Sequence, residues 1–107
     1  MAVIGTLIHM DMPVGNAQYG EPVAVKHLMP EKSVHFDGFG AGTLSLASVQ
    51  ILGSNDNVNW VQLGSNVSDD GVVSITTPIA FLRLYKLSET SGTQTAVLCG
   101  YGSGYTV

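Results

Sequence analysis

Short runs of alternating apolar and polar residues, separated by clusters of turn-forming residues, constrain the fold of this chain more than any other feature. No stretch keeps apolar residues at the spacing of one helix face for more than two turns. Clusters rich in Gly, Asn, Asp, Ser and Pro recur roughly every 8 to 12 residues, as in small β-sandwiches. The pattern therefore predicts an all-β fold, a single-domain β-sandwich of jelly-roll-like form with an extended N-terminal segment.

The N-terminal segment differs in character from the rest of the chain. We expect residues 1–22 to form an N-terminal arm or edge segment and residues 23–107 to form the β-sandwich domain. The first segment contains three of the four methionines and two of the four prolines. It is either an arm that a neighbouring subunit holds in place or an ordinary edge strand followed by a long loop. The expected strands are 6–11, 23–27, 33–36, 43–52, 60–63, 71–76, 81–86 and 94–100.

The chain carries unusually little charge. Charged residues make up 11% of its 107 residues, against about 25% in typical soluble domains, which suggests that other subunits cover much of its surface. The net charge is −4 with four fixed cations, too few to neutralise a row of phosphates, so no nucleic-acid partner is expected. No apolar stretch approaches the roughly 20 residues that span a bilayer, and no basic leader precedes one, so we expect no membrane partner and no cleaved signal. The single Cys fits assembly in a reducing cytoplasm.

The loop in ILGSNDNVNW, residues 51–60, is the most polar local feature of the sequence. Asn55, Asp56 and Asn57 suggest a calcium loop, which needs a glycine at its sixth position and a glutamate at its twelfth. Counted from Asn55, these two positions hold Trp60 and Asn66 instead. Asn and Asp also tolerate left-handed backbone and bond to their own backbone, as a tight hairpin bend requires. We therefore interpret the loop as a turn and keep Asn55, Asp56 and Asn57 as candidate interface or ligand residues.

Two large side chains complete the candidate set. Trp60 follows the loop and either packs over the sandwich edge, with its N–H bonded to a loop carbonyl, or stacks on a sugar ring from an exposed position. Arg83 alternates with leucines in FLRLYK. It is expected to pair with Asp56 or Glu89, or to face a neighbouring subunit, because Arg is enriched at interfaces.

Residues that would support catalysis, a cofactor or a metal do not form a recognisable pattern. The three histidines lie in different expected strands without metal-ligand spacing, and no Gly-x-Ser-x-Gly motif occurs. The Gly-rich stretches at 38–42 and 100–104 do not open a helix after a strand, as a phosphate-binding loop would. We expect no enzyme activity, no cofactor, no metal and no catalytic residue.

A set of short motifs resembles a family of small β-sandwich virion proteins of tailed bacteriophages. The motifs are SVHFDGFGAGT (33–43), VQILGSND (49–56), NW (59–60), SDDGVV (68–73), TPIAFLRLYK (77–86) and SGTQTAVLCGY (91–101). The stretch that contains them, residues 33–101, covers about two thirds of the chain. The GSND stretch followed by Trp is also similar to the corresponding hairpin of discoidin-type and other jelly-roll carbohydrate-binding modules.

The resemblance implies a capsid decoration or cement protein. Such a subunit binds the major capsid protein on the capsid exterior, here as an expected homotrimer, and stabilises the head after assembly in the host cytoplasm. The alternative is a carbohydrate-binding or receptor-binding module of a phage tail or neck, in which the loop and Trp60 hold a glycan.

Overall fold

All the secondary structure described is β-strand. The structure is a computed structural model that describes residues 3–40 and 46–103. The strands are β1 (Val3–His9), β2 (Gln18–Tyr19), β3 (Val23–Ala24), β4 (Leu28–Asp37), β5 (Ala47–Ser54), β6 (Val61–Gln62), β7 (Gly71–Ile75), β8 (Phe81–Glu89) and β9 (Thr95–Ser103). Within these residues, no helix is long and apolar enough to cross a bilayer.

The strands form two antiparallel sheets. The first sheet has the order β1-β9-β4-β7, and the second has the order β2-β8-β5-β6, with β3 also paired to β8. If β2 and β3 are counted as one interrupted strand, every connection crosses between the sheets except the one from β5 to β6. Two four-stranded layers joined in this way are the arrangement of a jelly roll. The predicted all-β sandwich is confirmed.

The N-terminal segment contributes strands to the margins of both sheets. β1 pairs with β9 along its whole length, from Val3 opposite Ser103 to His9 opposite Val97. β2 then pairs with β8 in the other sheet, where Tyr19 lies opposite Tyr85. The glycine that follows β2 donates its N–H to the carbonyl oxygen of Leu84 at 2.8 Å. The segment thus passes from the edge of the first sheet to that of the second.

The core lies between the sheets and is built by the alternation within the strands. In β8 the residues Leu82, Leu84 and Lys86 are buried, while the residues between them are half-buried on the outer face. Phe36 of β4 meets Phe39 edge to face at 5.7 Å between ring centroids, a favoured aromatic geometry. The other fully buried apolar side chains are Val25, Val34, Val49, Ile51, Leu82, Leu84 and Leu98.

Two details of the strands differ from the sequence-based expectation. The expected strands at 23–27 and 33–36 leave residues 30–32 between strands, yet these residues lie inside β4, where the pairing with β9 shifts between Leu28 and Lys32. A bulge tolerates Pro30 because the ladder there does not need its missing N–H. β2 was not expected, because two residues in a polar segment carry no alternation. Residues 43–45 of the expected strand 43–52 lie outside the described residues.

Candidate functional site

The outer face of the second sheet gathers several large polar and aromatic side chains. Because Leu82 and Leu84 point into the core, Arg83 and Tyr85 point outward from β8. The strand register places Tyr19 opposite Tyr85, and Leu52 opposite Arg83. This geometry gathers residues that are far apart in the sequence onto one surface.

Arg83 lies at the centre of this surface. Its guanidinium carbon is 4.7 Å from the ring centroid of Tyr19 and 5.0 Å from that of Trp60, so it makes a cation–π contact with each ring. Its Nε donates a hydrogen bond to the carbonyl oxygen of Gly20 at 3.0 Å. Tyr19 also packs on Tyr85, with 4.4 Å between centroids. We call Tyr19, Trp60, Arg83 and Tyr85 the aromatic–arginine cluster.

The cluster is held in place yet remains accessible. Tyr19 is 58% exposed, and the other three side chains are half-buried. Leu52, directly opposite Arg83 in β5 and therefore on the same face, is buried. A guanidinium fixed by one backbone carbonyl and two rings has little rotamer freedom left to lose when a ligand binds.

Arg83 pairs with neither of the acidic residues proposed for it from the sequence. Glu89 accepts a hydrogen bond from Lys86 at 2.6 Å in an ion pair. Asp56 is occupied by groups of its own loop. Across residues 3–40 and 46–103, no acidic side chain forms an ion pair with Arg83. The alternation within FLRLYK correctly indicates that Arg83 lies on the opposite face of β8 from the leucines. It does not indicate the partners of Arg83, because these come from distant parts of the sequence.

Asp56 is the centre of the loop that precedes Trp60. Its Oδ1 accepts hydrogen bonds from the backbone N–H of Val58 and of Asn59, at 2.9 and 2.8 Å. The same oxygen bonds the Ser54 hydroxyl at 2.9 Å, and Oδ2 accepts from the Asn59 side-chain amide at 2.7 Å. The bonds from Asn59 and Val58 hold the pKa of the Asp56 carboxyl well below its usual range. A carboxylate engaged in this way organises the turn.

The neighbouring asparagines also have structural contacts. Asn57 has a φ of 60°, the left-handed conformation that Asn tolerates better than most residues. Asn55 accepts a hydrogen bond from the N–H of Ala80 at 3.0 Å, which joins the loop to the start of β8. Of the sequence candidates, Trp60 and Arg83 meet in one cluster, whereas Asn55, Asp56 and Asn57 form the adjacent turn. The indole N–H of Trp60 makes no hydrogen bond to the described part of the chain.

Sequence reasoning missed both tyrosines of the cluster. Tyr85 had a usable signal, because it lies two residues from Arg83 in an alternating strand and so shares its face. Tyr19 had none, since only the pairing of β2 with β8 brings it there. Gln50, opposite Tyr85, adds a half-buried amide beside the cluster.

The outer face of the first sheet has a different character. A shallow trough of about 510 Å³ lies on it, lined by Met29, Glu31, Lys32, Ser33, Ser74, Cys99 and Tyr101. Ser33 pairs across the strands with both Cys99 and Ser74, so small side chains form the floor. Leu7, the partner of Cys99 on β1, is 69% exposed at the margin. The cation in this lining, Lys32, is buried and bonded to backbone carbonyls, so the trough presents mainly small and apolar side chains.

In the described part of the chain, the remaining titratable residues do not assemble into a site of recognisable chemistry. His9 and His35 lie in one cross-strand row on either side of Val97, and His27 lies in the turn before β4. Among residues 3–40 and 46–103, no group of three His, Cys, Asp or Glu side chains is placed to hold a metal ion. Asp70 instead accepts a hydrogen bond from the N–H of Phe39 at 2.7 Å.

Comparison with known proteins gives a structural relationship. No protein-family model matches the sequence, and no curated protein matches it by sequence. The chain superposes on the crystal structure of the SPBc2 prophage-derived protein YomS with a TM-score of 0.71. The two chains share a fold. The similarity covers 95% of this chain and 96% of YomS, at 16% sequence identity.

Proposed function

We propose that this protein is a structural protein of a bacteriophage virion, a capsid decoration or cement subunit that binds the major capsid protein on the outside of the head. The aromatic–arginine cluster is the observation that carries the proposal. Tyr, Trp and Arg are the residues most enriched in the energetic centres of protein interfaces. A rigid cluster of all three on a solvent-facing sheet suits a subunit that binds by surface complementarity. The fold shared with a prophage-derived protein supports the same proposal.

Reconstitution on phage heads tests this function directly. Heads that lack the subunit, prepared from the phage that encodes it, are mixed with purified protein, sedimented, and imaged by electron cryomicroscopy. We expect added density on the capsid exterior and co-sedimentation that falls at least tenfold in affinity for Arg83→Ala, the loss typical of an interface hot spot. Lys26→Ala is the control, because it removes one charge from an exposed turn outside the cluster. Absence of the protein from the heads would rule out the decoration role.

We further propose that the subunit is a homotrimer whose copies contact through the outer face of the first sheet. Leu7 and Val72 are prominently exposed there, and large exposed apolar surfaces mark association sites. Leu7→Asp places a charge in that contact and is expected to convert the trimer to monomers in light scattering. A wild-type protein that is monomeric at all concentrations tested would refute the trimer.

A carbohydrate-binding or receptor-binding module of a phage tail or neck is the second candidate function. The rings of Trp60 and Tyr19 both lie next to Arg83, and the amide of Gln50 is on the same face, a combination of rings and polar groups that suits sugar recognition. Glycan-array binding that Trp60→Ala abolishes would support this function. Val61→Ala is the matched control, because Val61 is the exposed neighbour on the opposite face of β6. If Trp60→Ala binds glycans as well as the wild type does, the carbohydrate-binding function is excluded.

A further inference from the structure

We propose that the aromatic–arginine cluster recognises a carboxylate, supplied by an acidic side chain of the partner protein, which binds the terminal nitrogens of Arg83. This inference rests on the proposed function, since it names the chemistry of the partner at the same surface. It is carried by the charge inventory of the chain, by the hydrogen bonding of Arg83 and by the arrangement of the two rings around it.

The charge inventory leaves Arg83 as an uncompensated cation on the sheet surface. Lys86 and Lys32 are 1% and 4% exposed, and both are bonded inside the protein. Lys26 is exposed in the turn between β3 and β4. Arg83 is therefore the one fixed cation that the described part of the chain presents on a sheet face, and no acid of that part pairs with it.

The hydrogen bonds of Arg83 define which of its atoms are available. Nε is used by the carbonyl oxygen of Gly20. The two Nη atoms, which carry four of the five guanidinium N–H groups, make no hydrogen bond within residues 3–40 and 46–103. Because Nε fixes the plane of the guanidinium, these donors are held ready for an acceptor. A carboxylate matches them, since its two oxygens accept two parallel N–H bonds.

The rings around Arg83 favour a carboxylate over a stacked neutral sugar. The guanidinium lies close over the rings of both Tyr19 and Trp60, at 4.7 and 5.0 Å, and Tyr85 packs on Tyr19. A sugar that stacked on those same ring faces would have to displace the cation. The edge of the guanidinium needs no such rearrangement, and a partner that docks around the cluster would exclude water from the bond.

The net charge of the chain limits what kind of anion fits. At −4 the protein repels a broadly acidic surface, and a polyphosphate backbone needs several cations where this surface has one. A single acidic side chain flanked by apolar residues satisfies both conditions. Such a contact would fix the orientation of the subunit on its partner as well as add affinity.

Binding to phage heads with graded substitutions at Arg83 tests the inference. We expect Arg83→Gln to weaken binding about tenfold to hundredfold, as for loss of one partner of an interfacial charge pair. Arg83→Lys should also weaken it, because an ammonium cannot reproduce the bidentate geometry. Wild-type affinity should fall between about 0.1 M and about 1 M salt, where the Debye length shortens from about 10 Å to about 3 Å, and Arg83→Gln should lose this dependence. Lys26→Gln is the charge-matched control.

A second measurement uses the isolated protein and small probes. Capped peptides containing Glu or Gln, and free glucuronic acid, are titrated while the NMR signals of the Arg83 Nε–H and Trp60 indole N–H groups are followed. Saturable shifts with the Glu peptide and none with the Gln peptide support the inference. Equal shifts with both peptides, or shifts with glucuronic acid alone, overturn it, the latter in favour of an acidic glycan.

The two measurements separate the inference from the proposed function. If wild-type protein binds heads and Arg83→Gln binds equally well, the carboxylate inference is wrong and the decoration role stands. If wild-type protein does not bind heads but the Glu peptide still shifts both signals selectively, the decoration role is wrong and the carboxylate site stands. Thermal unfolding of each variant verifies that a loss of binding is not a loss of fold.

Discussion

The strands at the margins of the two sheets are held in place in different ways. In the first sheet, the edge strand β1 pairs with β9 along its full length, and β4 lies between β9 and β7. In the second sheet, β2, β3 and β6 are two residues long. One side chain of β8, Arg83, adds a bond beside β2. Arg83 bonds the backbone after β2 on the outer face, and Lys86 bonds Glu89 and Gln94 on the inner side.

The difference shows how strand length and side-chain chemistry are linked. A long ladder fixes its edge strand with backbone hydrogen bonds, so the outer face can be made of small and apolar side chains. Two-residue strands have too few such bonds to be stable alone, and at β2 the bond from Arg83 of the central strand to Gly20 adds an anchor. The same anchor puts a rigid cation beside aromatic rings on the surface. The second sheet therefore has the surface best suited to a specific partner, and the first sheet a surface suited to association.

The largest expected effect is on the inner side of β8. Lys86→Met should destabilise the protein by about 3 kcal/mol, because it leaves the buried oxygen of Gln94 and the Glu89 carboxylate without their shared donor. Lys32→Met in the first sheet should change the stability by no more than about 1 kcal/mol, since Lys32 donates only to the carbonyls of Pro30 and Thr77. Urea unfolding of both variants measures the difference, and equal losses would contradict the contrast between the sheets.

Two glycines test the edges of the sheets. Gly20→Ala would place a methyl group in collision with the carbonyl oxygen of Asp11, beside the point where Arg83 is anchored. Overpacking against backbone costs about 1 to 3 kcal/mol, so we expect a loss of about 2 kcal/mol. Gly5→Ala in β1 meets only the side chain of Tyr101, at 3.0 Å. Tyr101 is exposed and can move, so the expected loss is under about 1 kcal/mol. If Gly5→Ala lost more stability than Gly20→Ala, the edge at β1, and not the edge at β2, would be the less tolerant one.

The sequence predicts the sandwich because the burial pattern is local. The alternation of FLRLYK places Leu82 and Leu84 inward and Arg83 outward, as the structure has them. The same alternation also places Lys86 inward with the leucines. That signal was available, but a lysine is ordinarily read as a surface residue, and only the positions of Glu89 and Gln94 explain its burial.

The candidate site could be predicted only in part, because most of its contacts are long-range. Trp60 and Arg83 were recognised by residue type, but their meeting depends on the pairing of β5 with both β6 and β8. Tyr19 enters through a two-residue strand that has no periodic signature. The turn at Asp56 was predictable, since its bonds join residues at most three positions apart.

The buried lysine of the first sheet should give the stability a specific pH dependence. Burial lowers the pKa of Lys32 from its ordinary value of 10.5. The unfolded chain then binds more protons than the folded chain at pH values between the lowered pKa and 10.5, so the Lys32 contribution to stability rises with pH across that window. As the pH is raised from neutral, the urea midpoint of the wild type should rise relative to that of Lys32→Met. Parallel curves would show that burial does not lower this pKa.

The smallest expected effect is the response of the second sheet's polar loop to calcium. Both carboxylate oxygens of Asp56 already accept hydrogen bonds inside the loop, and no second carboxylate lies between residues 51 and 60, whereas calcium takes six to eight oxygen ligands. Added calcium should therefore leave the Tm unchanged. The same hydrogen bonds should make the stability of the protein depend on acid. Because the pKa of Asp56 is lowered in the folded protein, its contribution to stability is present above its ordinary pKa of 3.8 and is lost as the pH falls below that value. Asp56→Asn should lack this acid-dependent loss. A calcium-dependent rise in Tm that Asp56→Asn abolished would instead make the loop a ligand site, and the binding chemistry of the second sheet would then extend beyond Arg83.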